Sequence, residues 1–235
     1  MTNNTKLIQK IHESKHRITF VSSGGGTNAI SSLLKVPGAS NTVLESYIPY
    51  SKKSMDLFLN RKPDHYCSLN TSLSMAANAY KKCMQIDPEY KKKYLIGISV
   101  TASLATTYTK IGDHKFYISV QTESFTKSIE CLLIKGSRSR EEEEQLITEY
   151  VLSLVAECCG IEKNMPHHDE IPVIHTIKAE KSWKKLLNND VNFISSDRST
   201  PELIFPGSFN PLHDGHLRMR ELAEKKTGMR ATFEI

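Results

Sequence analysis

Residues 17–27 read RITFVSSGGGT, and this stretch decides how the larger part of the chain folds. Its first six residues form an apolar run with the length of a buried strand. The glycines predict a tight turn, and the spacing of Ile30, Leu33 and Leu34 predicts a helix after it. A glycine-rich turn that opens a helix presents backbone N–H groups and the positive end of the helix dipole. The stretch therefore predicts an anion-binding turn, although glycines also occur wherever a turn needs positive φ.

The segments after this turn predict one mixed sheet covered by helices. Further strands are expected at 42–50, 94–101, 116–121 and 125–134, the last two forming an antiparallel hairpin. Helices are expected at 5–16, at 52–59, from a cap at Ser68 or Asn70 to residue 86, and from 141 to a cap at Gly160. The glutamates at 141–144 are expected to form a solvated first turn of the last helix, at its positive end.

This order of elements, together with several residues, resembles a known domain. Residues 17–160 are similar to the C-terminal domain of the competence and damage-inducible protein CinA, the nicotinamide mononucleotide deamidase fold. The resemblance rests on the serine-containing turn, VPGAS at 36–40 with the strand leading to Tyr50 and Ser51, the strand ending at Thr101, and the hairpin before the last helix. It implies a three-layer α/β domain that hydrolyses an amide.

The resemblance also implies site residues. In the active deamidases the turn reads ESCTGG and its serine is the proposed nucleophile, which corresponds here to Ser22 or Ser23, depending on a one-residue gap. Met55 aligns with a lysine of the active family, and 102–105 replaces its glycine-rich segment. Two alternatives therefore remain for this domain: amide hydrolysis, or a non-catalytic role as a nucleotide-binding or oligomer-forming module. The implied nucleotide-binding residues are Gly24, Gly25, Gly26, Thr27, Tyr50, Ser51 and Thr101.

A second strand, turn and helix begins at residue 204, where the chain reads IFPGSFNPLHDGHLRM. A short apolar strand is expected at 203–205, a turn at Pro206 and Gly207, and a helix that opens near His213 to His216. Two histidines three residues apart share one helix face, so both can reach a phosphate above the helix N-terminus.

This motif resembles the signature of the nucleotidylyltransferase superfamily, in the form found in nicotinate or nicotinamide mononucleotide adenylyltransferases. The resemblance implies a Rossmann-like fold and in-line attack of a substrate phosphate on the α-phosphate of ATP, with His213 and His216 stabilising the charge. Mg²⁺ is implied by the resemblance alone. The nucleotide-binding residues it implies are Gly207, Ser208, Phe209, Asn210 and Gly215.

The chain is expected to divide into a deamidase-like domain at 1–160, a linker at 161–200 and the opening of a transferase domain at 201–235. The turn-forming NMPHHDEIP at 164–172 marks the boundary, and no metal site is expected from its adjacent His167, His168 and Asp169. A Rossmann-like sheet is built from several βαβ units, and residues 201–235 supply one at most. Transferase activity of this chain is therefore expected to be negligible.

Composition limits the partners. The chain has 235 residues, 24% of them charged, and a net charge of +5. Because the basic residues are scattered among acidic ones, small nucleotides are expected as partners and nucleic acid is not. Five cysteines without metal-type spacing predict reduced thiols in the cytoplasm, and no apolar run reaches membrane-spanning length. A homo-oligomer is left open.

Overall fold

The computed structural model describes residues 3–108, 110–195, 202–209 and 211–234. The chain forms two compact units, Met1–Asn188 (unit 1) and Asn189–Ile235 (unit 2). The strands of unit 1 are Arg17–Ser23 (β1), Val43–Tyr47 (β2), Leu95–Ser103 (β3), His114–Gln121 (β4), Phe125–Leu133 (β5) and Val173–Lys178 (β6). Its helices are Asn3–Glu13 (α1), Thr27–Lys35 (α2), Lys52–Leu59 (α3), Leu69–Ile86 (α4), Arg140–Cys158 (α5) and Lys181–Leu187 (α6).

The strands form one mixed sheet in the order β2-β1-β3-β4-β5-β6. β1 is parallel to both β2 and β3, and the remaining neighbours are antiparallel. Parallel neighbours need crossover connections. Helix α2 supplies the connection from β1 to β2, and α3 and α4 supply the one from β2 to β3.

Helices cover both faces of the sheet, which gives unit 1 three layers. Phe20 of β1 belongs to the core that includes residues of α2 and α5, whereas Val21 packs in a second core with Met55 of α3 and Met75 of α4. A strand buried on both faces reads as a continuous apolar run rather than an alternating one. The α/β class and the three layers predicted from the sequence are therefore confirmed.

The segment predicted as a linker carries structure of its own. β6 pairs with β5 inside it, and α6 follows, so unit 1 extends to Asn188 rather than to residue 160. The loop before β6 is anchored by the buried Glu170, whose carboxylate accepts two bonds from Arg138, at 2.6 and 2.7 Å, and one from the Ile134 N–H at 2.8 Å. These bonds explain why the loop belongs to unit 1 despite its turn-forming composition.

Unit 2 contains one βαβ arrangement. Leu203–Pro206 (β7) pairs in parallel with Ala231–Glu234 (β8), and Asp214–Thr227 (α7) connects them. Three phenylalanines pack together beside the strands, with ring centroids 5.5 Å apart for Phe205 and Phe209 and 4.6 Å apart for Phe209 and Phe233. Gly228 ends α7 at φ 69°, a left-handed conformation that glycine adopts readily. In the described ranges no helix is long and apolar enough to cross a membrane.

Candidate functional site

The glycine-rich turn after β1 does hold an anionic group, and that group comes from the protein itself. The Glu144 carboxylate accepts the Gly26 N–H at 2.6 Å, the Asn28 N–H at 3.0 Å and the Thr27 hydroxyl at 2.9 Å. Gly24 and Gly26 have φ of 81° and 86°, a left-handed backbone that glycine adopts readily. Any external anion at this turn would have to displace the Glu144 side chain.

The prediction that residues 141–144 form a solvated turn is therefore wrong for two of the four glutamates. Glu143 is 0% exposed, and its carboxylate lies 2.7 Å from the His114 Nδ1 atom and 2.7 Å from the Ala105 backbone nitrogen. Glu142 completes a capping box with Ser139, and its pKa is lowered by the Ser139 backbone N–H. Helix α5 thus uses its acidic first turns as ligands for neighbouring loops.

Arg140 ties together the same two loops that Glu143 and Glu144 hold. Its guanidinium donates to the Gly24 carbonyl at 3.2 Å and to the Ala105 carbonyl at 3.1 Å. Gly24 follows β1, and Ala105 follows β3. The start of α5 therefore closes the carboxyl ends of two adjacent parallel strands.

Among the residues that the structure describes, neither predicted nucleophile is hydrogen-bonded to a base. Ser22 is 0% exposed and its hydroxyl donates to the Gly25 carbonyl, while the Ser23 hydroxyl donates to the Pro49 carbonyl at 3.2 Å. A serine hydroxyl becomes an effective nucleophile when an adjacent base takes its proton. A backbone carbonyl oxygen cannot take the hydroxyl proton. In this conformation both serines therefore only stabilise the local backbone through hydrogen bonds.

The other residues implied for the unit 1 site are only partly brought together. Ser23 and Thr101 are register partners at the ends of β1 and β3. Thr101 is 2% exposed and donates to the Tyr66 carbonyl at 2.9 Å. Ser51 is the N-cap of α3, where it accepts the Ser54 N–H at 3.2 Å. Tyr50 is 68% exposed, so its side chain is largely in solvent.

Sequence reasoning missed the loop between α3 and α4. Its Tyr66 accepts the Thr101 bond and donates its own hydroxyl to Asp56 at 2.9 Å, so this loop lies over the end of β3. A cavity of about 430 Å³ adjoins it. Its lining includes Arg61, Lys62, His65, Ser68 and Asn70. The signal in the sequence is the basic pair Arg61 and Lys62, which follows α3.

In unit 2 the two histidines lie side by side at the start of α7. His213 is the N-cap residue, and its Nδ1 accepts the Gly215 N–H at 3.2 Å. The His216 Nδ1 accepts the His213 N–H at 3.4 Å, and the two rings stack with centroids 3.7 Å apart. Because each Nδ1 acts as an acceptor, a neutral ring carries its proton on Nε2. Each histidine therefore keeps one N–H donor for a ligand.

The rest of the second motif surrounds these rings. Phe209 has φ 41° and its ring meets His216 edge-on, with centroids 5.0 Å apart. The Gly207 N–H donates to the Glu234 carbonyl at 2.9 Å, and a Cβ at Gly207 would lie 2.7 Å from the Phe209 ring. Ser208 is exposed. Asn210 lies outside the described residues.

The described residues offer neither a metal-ligand cluster nor a disulfide bond. In the described parts of the chain, no group of three or more His, Cys, Asp or Glu side chains is placed to hold a metal ion. All five cysteines are free thiols, with Cys83 and Cys131 buried. Burial raises the pKa of Cys131 to about 11, so this thiol stays protonated and unreactive at neutral pH.

Comparison with known proteins identifies the fold. The chain is similar to competence/damage inducible protein CihA from Agrobacterium tumefaciens, with a TM-score of 0.53, 13% identity, and coverage of 67% of this chain and 96% of that one. CinA superfamily protein from Enterobacter cloacae gives a TM-score of 0.54 at 15% identity, covering 67% and 94%. A competence or damage-inducible protein from Enterobacter asburiae gives 0.54 at 15%, covering 67% and 99%.

The similarity is structural. No family model matches the chain. No curated protein matches it significantly either. At these identities the structural neighbours establish a CinA-like fold over two-thirds of the chain, and they assign neither an activity nor site residues to it.

Proposed function

We propose that unit 2 carries a nucleotidylyltransferase-type phosphate site, which binds ATP for transfer of its nucleotidyl group to a phosphate-bearing mononucleotide such as nicotinate or nicotinamide mononucleotide. One observation carries the proposal: His213 and His216 stack at the N-terminus of α7, within a βαβ unit. Each ring keeps an Nε2–H donor, and the helix N-terminus adds its positive dipole. Two oriented donors and a dipole suit the spread negative charge of a polyphosphate.

The reaction that this site would support is an in-line displacement. An oxygen of the mononucleotide phosphate attacks the α-phosphorus of ATP, the bond from that phosphorus to the bridging oxygen breaks, and pyrophosphate leaves with the electron pair. The Nε2–H donors of His213 and His216 would stabilise charge on the transferring and leaving phosphates. Mg²⁺ would neutralise charge on the ATP phosphates, but no ligand cluster among the described residues fits it, and no step is assigned to it.

For unit 1 a non-catalytic role is favoured over amide hydrolysis. The supporting observation is that the Glu144 carboxylate takes the donors of the glycine-rich turn, next to serines that donate to carbonyl oxygens. An anionic substrate would have to replace the Glu144 carboxylate at this turn, and a base would have to reach Ser22 or Ser23. Unit 1 would then act as a scaffold or as a contact for a second copy. Five free cysteines suit a reducing compartment, and the cytoplasm remains the proposed location.

The test is an amide-resolved NMR titration of the 235-residue chain with ATP and Mg²⁺. We expect saturable shifts at Gly215, His216 and their neighbours, and loss of these shifts in the His213→Ala, His216→Ala double variant. His175→Ala, which removes an exposed histidine of β6, is the matched control and should titrate like the wild type. Shifts that persist in the double variant, or that never occur near His216, would overturn the proposed site.

Two activity assays separate the functions. Pyrophosphate release from ATP with nicotinate or nicotinamide mononucleotide reports nucleotidyl transfer, and ammonia release from nicotinamide mononucleotide reports amide hydrolysis. Pyrophosphate release that requires both histidines would support transfer directly, and it would contradict the expectation from the sequence that the transferase activity of this chain is negligible. Ammonia release that is lost in a Ser22→Ala or Ser23→Ala variant would instead show that unit 1 is a hydrolase.

A further inference from the structure

A second cavity of unit 1, of about 440 Å³, lies where β6 and α6 adjoin the start of β5. One wall comes from Glu157 near the end of α5, and the opposite wall comes from α6. Small-molecule sites in proteins commonly have volumes of about 300–1,000 Å³. This cavity is therefore large enough for a small molecule.

The register of the sheet places an aromatic ring beside a lysine on the floor of this cavity. Phe125 of β5 and Lys178 of β6 are directly opposite each other, so their side chains lie on the same face of the sheet. Phe125 is half-buried and packs against the core that contains residues of α5. It therefore offers the cavity an apolar surface that the core holds in place.

The charged groups on the cavity wall are mainly positive. Lysines line it at three positions, Lys178, Lys181 and Lys184. In the part of the chain that the structure describes, the ammonium groups of Lys178 and Lys181 have no hydrogen-bond or ion-pair partner. Lys184 donates to the Ser124 hydroxyl at 3.1 Å, which leaves two of its three N–H donors for a ligand.

The carboxylate that lines the cavity does not neutralise these lysines. Both oxygens of Glu157 lie 2.7 Å from the ammonium nitrogen of Lys127, with which it forms an ion pair. The cavity therefore keeps three positive charges beside the apolar surface of Phe125. Positive charge that lines a concave surface attracts anionic small molecules.

We propose that this cavity binds a small phosphate monoester with an aromatic body, whose ring lies against Phe125 and whose phosphate accepts hydrogen bonds from the three lysines. Charge-assisted hydrogen bonds to a phosphate are stronger than neutral ones, and an aromatic pair adds a contact beyond its buried area. The site is separate from the histidines of unit 2, and it does not depend on the function proposed for them.

The experiment is an amide-resolved NMR titration of the 235-residue chain with phenyl phosphate, which carries one ring and one phosphate. Inorganic phosphate is the probe without a ring. We expect saturable phenyl phosphate shifts of the Phe125, Lys178 and Ala179 amides, and an affinity at least about tenfold weaker in the Lys178→Ala, Lys181→Ala double variant. The Lys53→Ala, Lys81→Ala double variant is the matched control, because it removes the same charge from exposed positions outside the cavity. It should bind like the wild type.

Phe125→Leu tests the ring contact separately. Leucine keeps an apolar side chain against the core but removes the ring, so phenyl phosphate should bind about threefold more weakly or worse while inorganic phosphate binds as before. Equal affinities of the wild type for the two probes would overturn the proposal, because the cavity would then recognise charge alone.

The lysine variants give the other decisive outcomes. Phenyl phosphate shifts that never occur near Phe125, or that are unchanged in the Lys178→Ala, Lys181→Ala variant, would show that the cavity is not this site. The Gly215 amide reports unit 2 separately, so failure at one site leaves the result at the other intact. If the double variant does not fold, Lys181→Glu, a single change at an exposed position of α6, takes its place with the same criteria.

Discussion

Two strand–turn–helix segments of this chain start from the same local plan and differ in what satisfies the helix N-terminus. At the start of α2 a carboxylate from another helix binds the free N–H groups, whereas at the start of α7 the imidazole of the cap residue accepts one of them. The first arrangement is closed by a partner 118 residues away in the sequence. The second arrangement uses the neighbouring residues His213, Gly215 and His216, and both rings take part through their Nδ1 atoms. The two backbone motifs therefore predict an anion site equally well from the sequence. The surrounding fold decides which group accepts the free N–H donors at each helix start.

Gly24→Ala tests the closed turn most severely. Gly24 has φ 81°, and a Cβ there would overlap the carbonyl oxygen of Ala102, so the turn would have to move off β3. We expect a loss of about 3 kcal/mol or more in the free energy of unfolding, measured in urea. Gly136→Ala is the matched control, because Gly136 has φ 79° with no atom within 4 Å of the added Cβ. It should lose only about 1 kcal/mol from backbone strain, and equal losses for the two variants would contradict the overlap.

Glu143→Ala tests the second carboxylate that the start of α5 supplies. The change leaves the part-buried Ala105 N–H and the Nδ1 atom of the buried His114 ring without their acceptor. Each unsatisfied buried group costs about 1–3 kcal/mol, so we expect unit 1 to lose about 2–3 kcal/mol in urea denaturation. Glu141→Ala, at an exposed position in the same turn, should stay within about 0.5 kcal/mol of the wild type. A Glu143→Ala variant as stable as this control would mean that Glu143 is solvated, as the sequence alone suggests.

The elements of the fold were predictable because their signals are local. Neighbouring residues alone indicate the apolar strands β1 and β3, the hairpin of β4 and β5, and the Ser68 cap of α4. The structure contains all of these elements. The βαβ unit around His213 was predictable for the same reason.

What could not be predicted depends on contacts between distant residues. The glutamates of α5 follow the usual pattern of a solvated helix start, and only packing against α2 and β4 makes two of them ligands. β6 was missed because all six of its residues are exposed, so no alternation of polar and apolar residues marks it. Its preceding loop is held by Glu170, whose partner Arg138 lies 32 residues earlier.

Acid should weaken unit 1 through Glu170. The bonds from Arg138, together with those from Ile134 and His168, lower the pKa of Glu170 well below its usual value of 4.5. A carboxyl whose pKa is depressed in the folded state contributes stability above its unfolded pKa, and this contribution is lost as pH falls towards the folded pKa. We expect the free energy of unfolding to fall by about 1–2 kcal/mol between pH 5 and pH 3 from this group.

Glu170→Gln provides the comparison for this pH dependence. The variant cannot titrate at residue 170, so its stability should change less between pH 5 and pH 3 than that of the wild type, when both are measured in urea at each pH. Glu141→Gln should retain the wild-type slope, since Glu141 is exposed. If Glu170→Gln also kept the wild-type slope, the Glu170 network would not be the source of the acid sensitivity.

His213→Asn should produce the smallest change in stability and still weaken the ATP binding proposed for unit 2. Asparagine is a favoured N-cap residue, so it can accept the Gly215 N–H in place of the imidazole Nδ1, and α7 should lose only a few tenths of a kcal/mol. It has no Nε2–H at the position where the His213 ring presents one, so the ATP-dependent shifts at Gly215 and His216 should weaken. His213→Ala loses the cap as well and should cost about 1 kcal/mol. Hydrogen exchange of the α7 amides measures the first effect, and the ATP titration measures the second. If His213→Asn bound ATP like the wild type, His213 would be a cap residue alone, and the two turns would differ only in which side chain closes them.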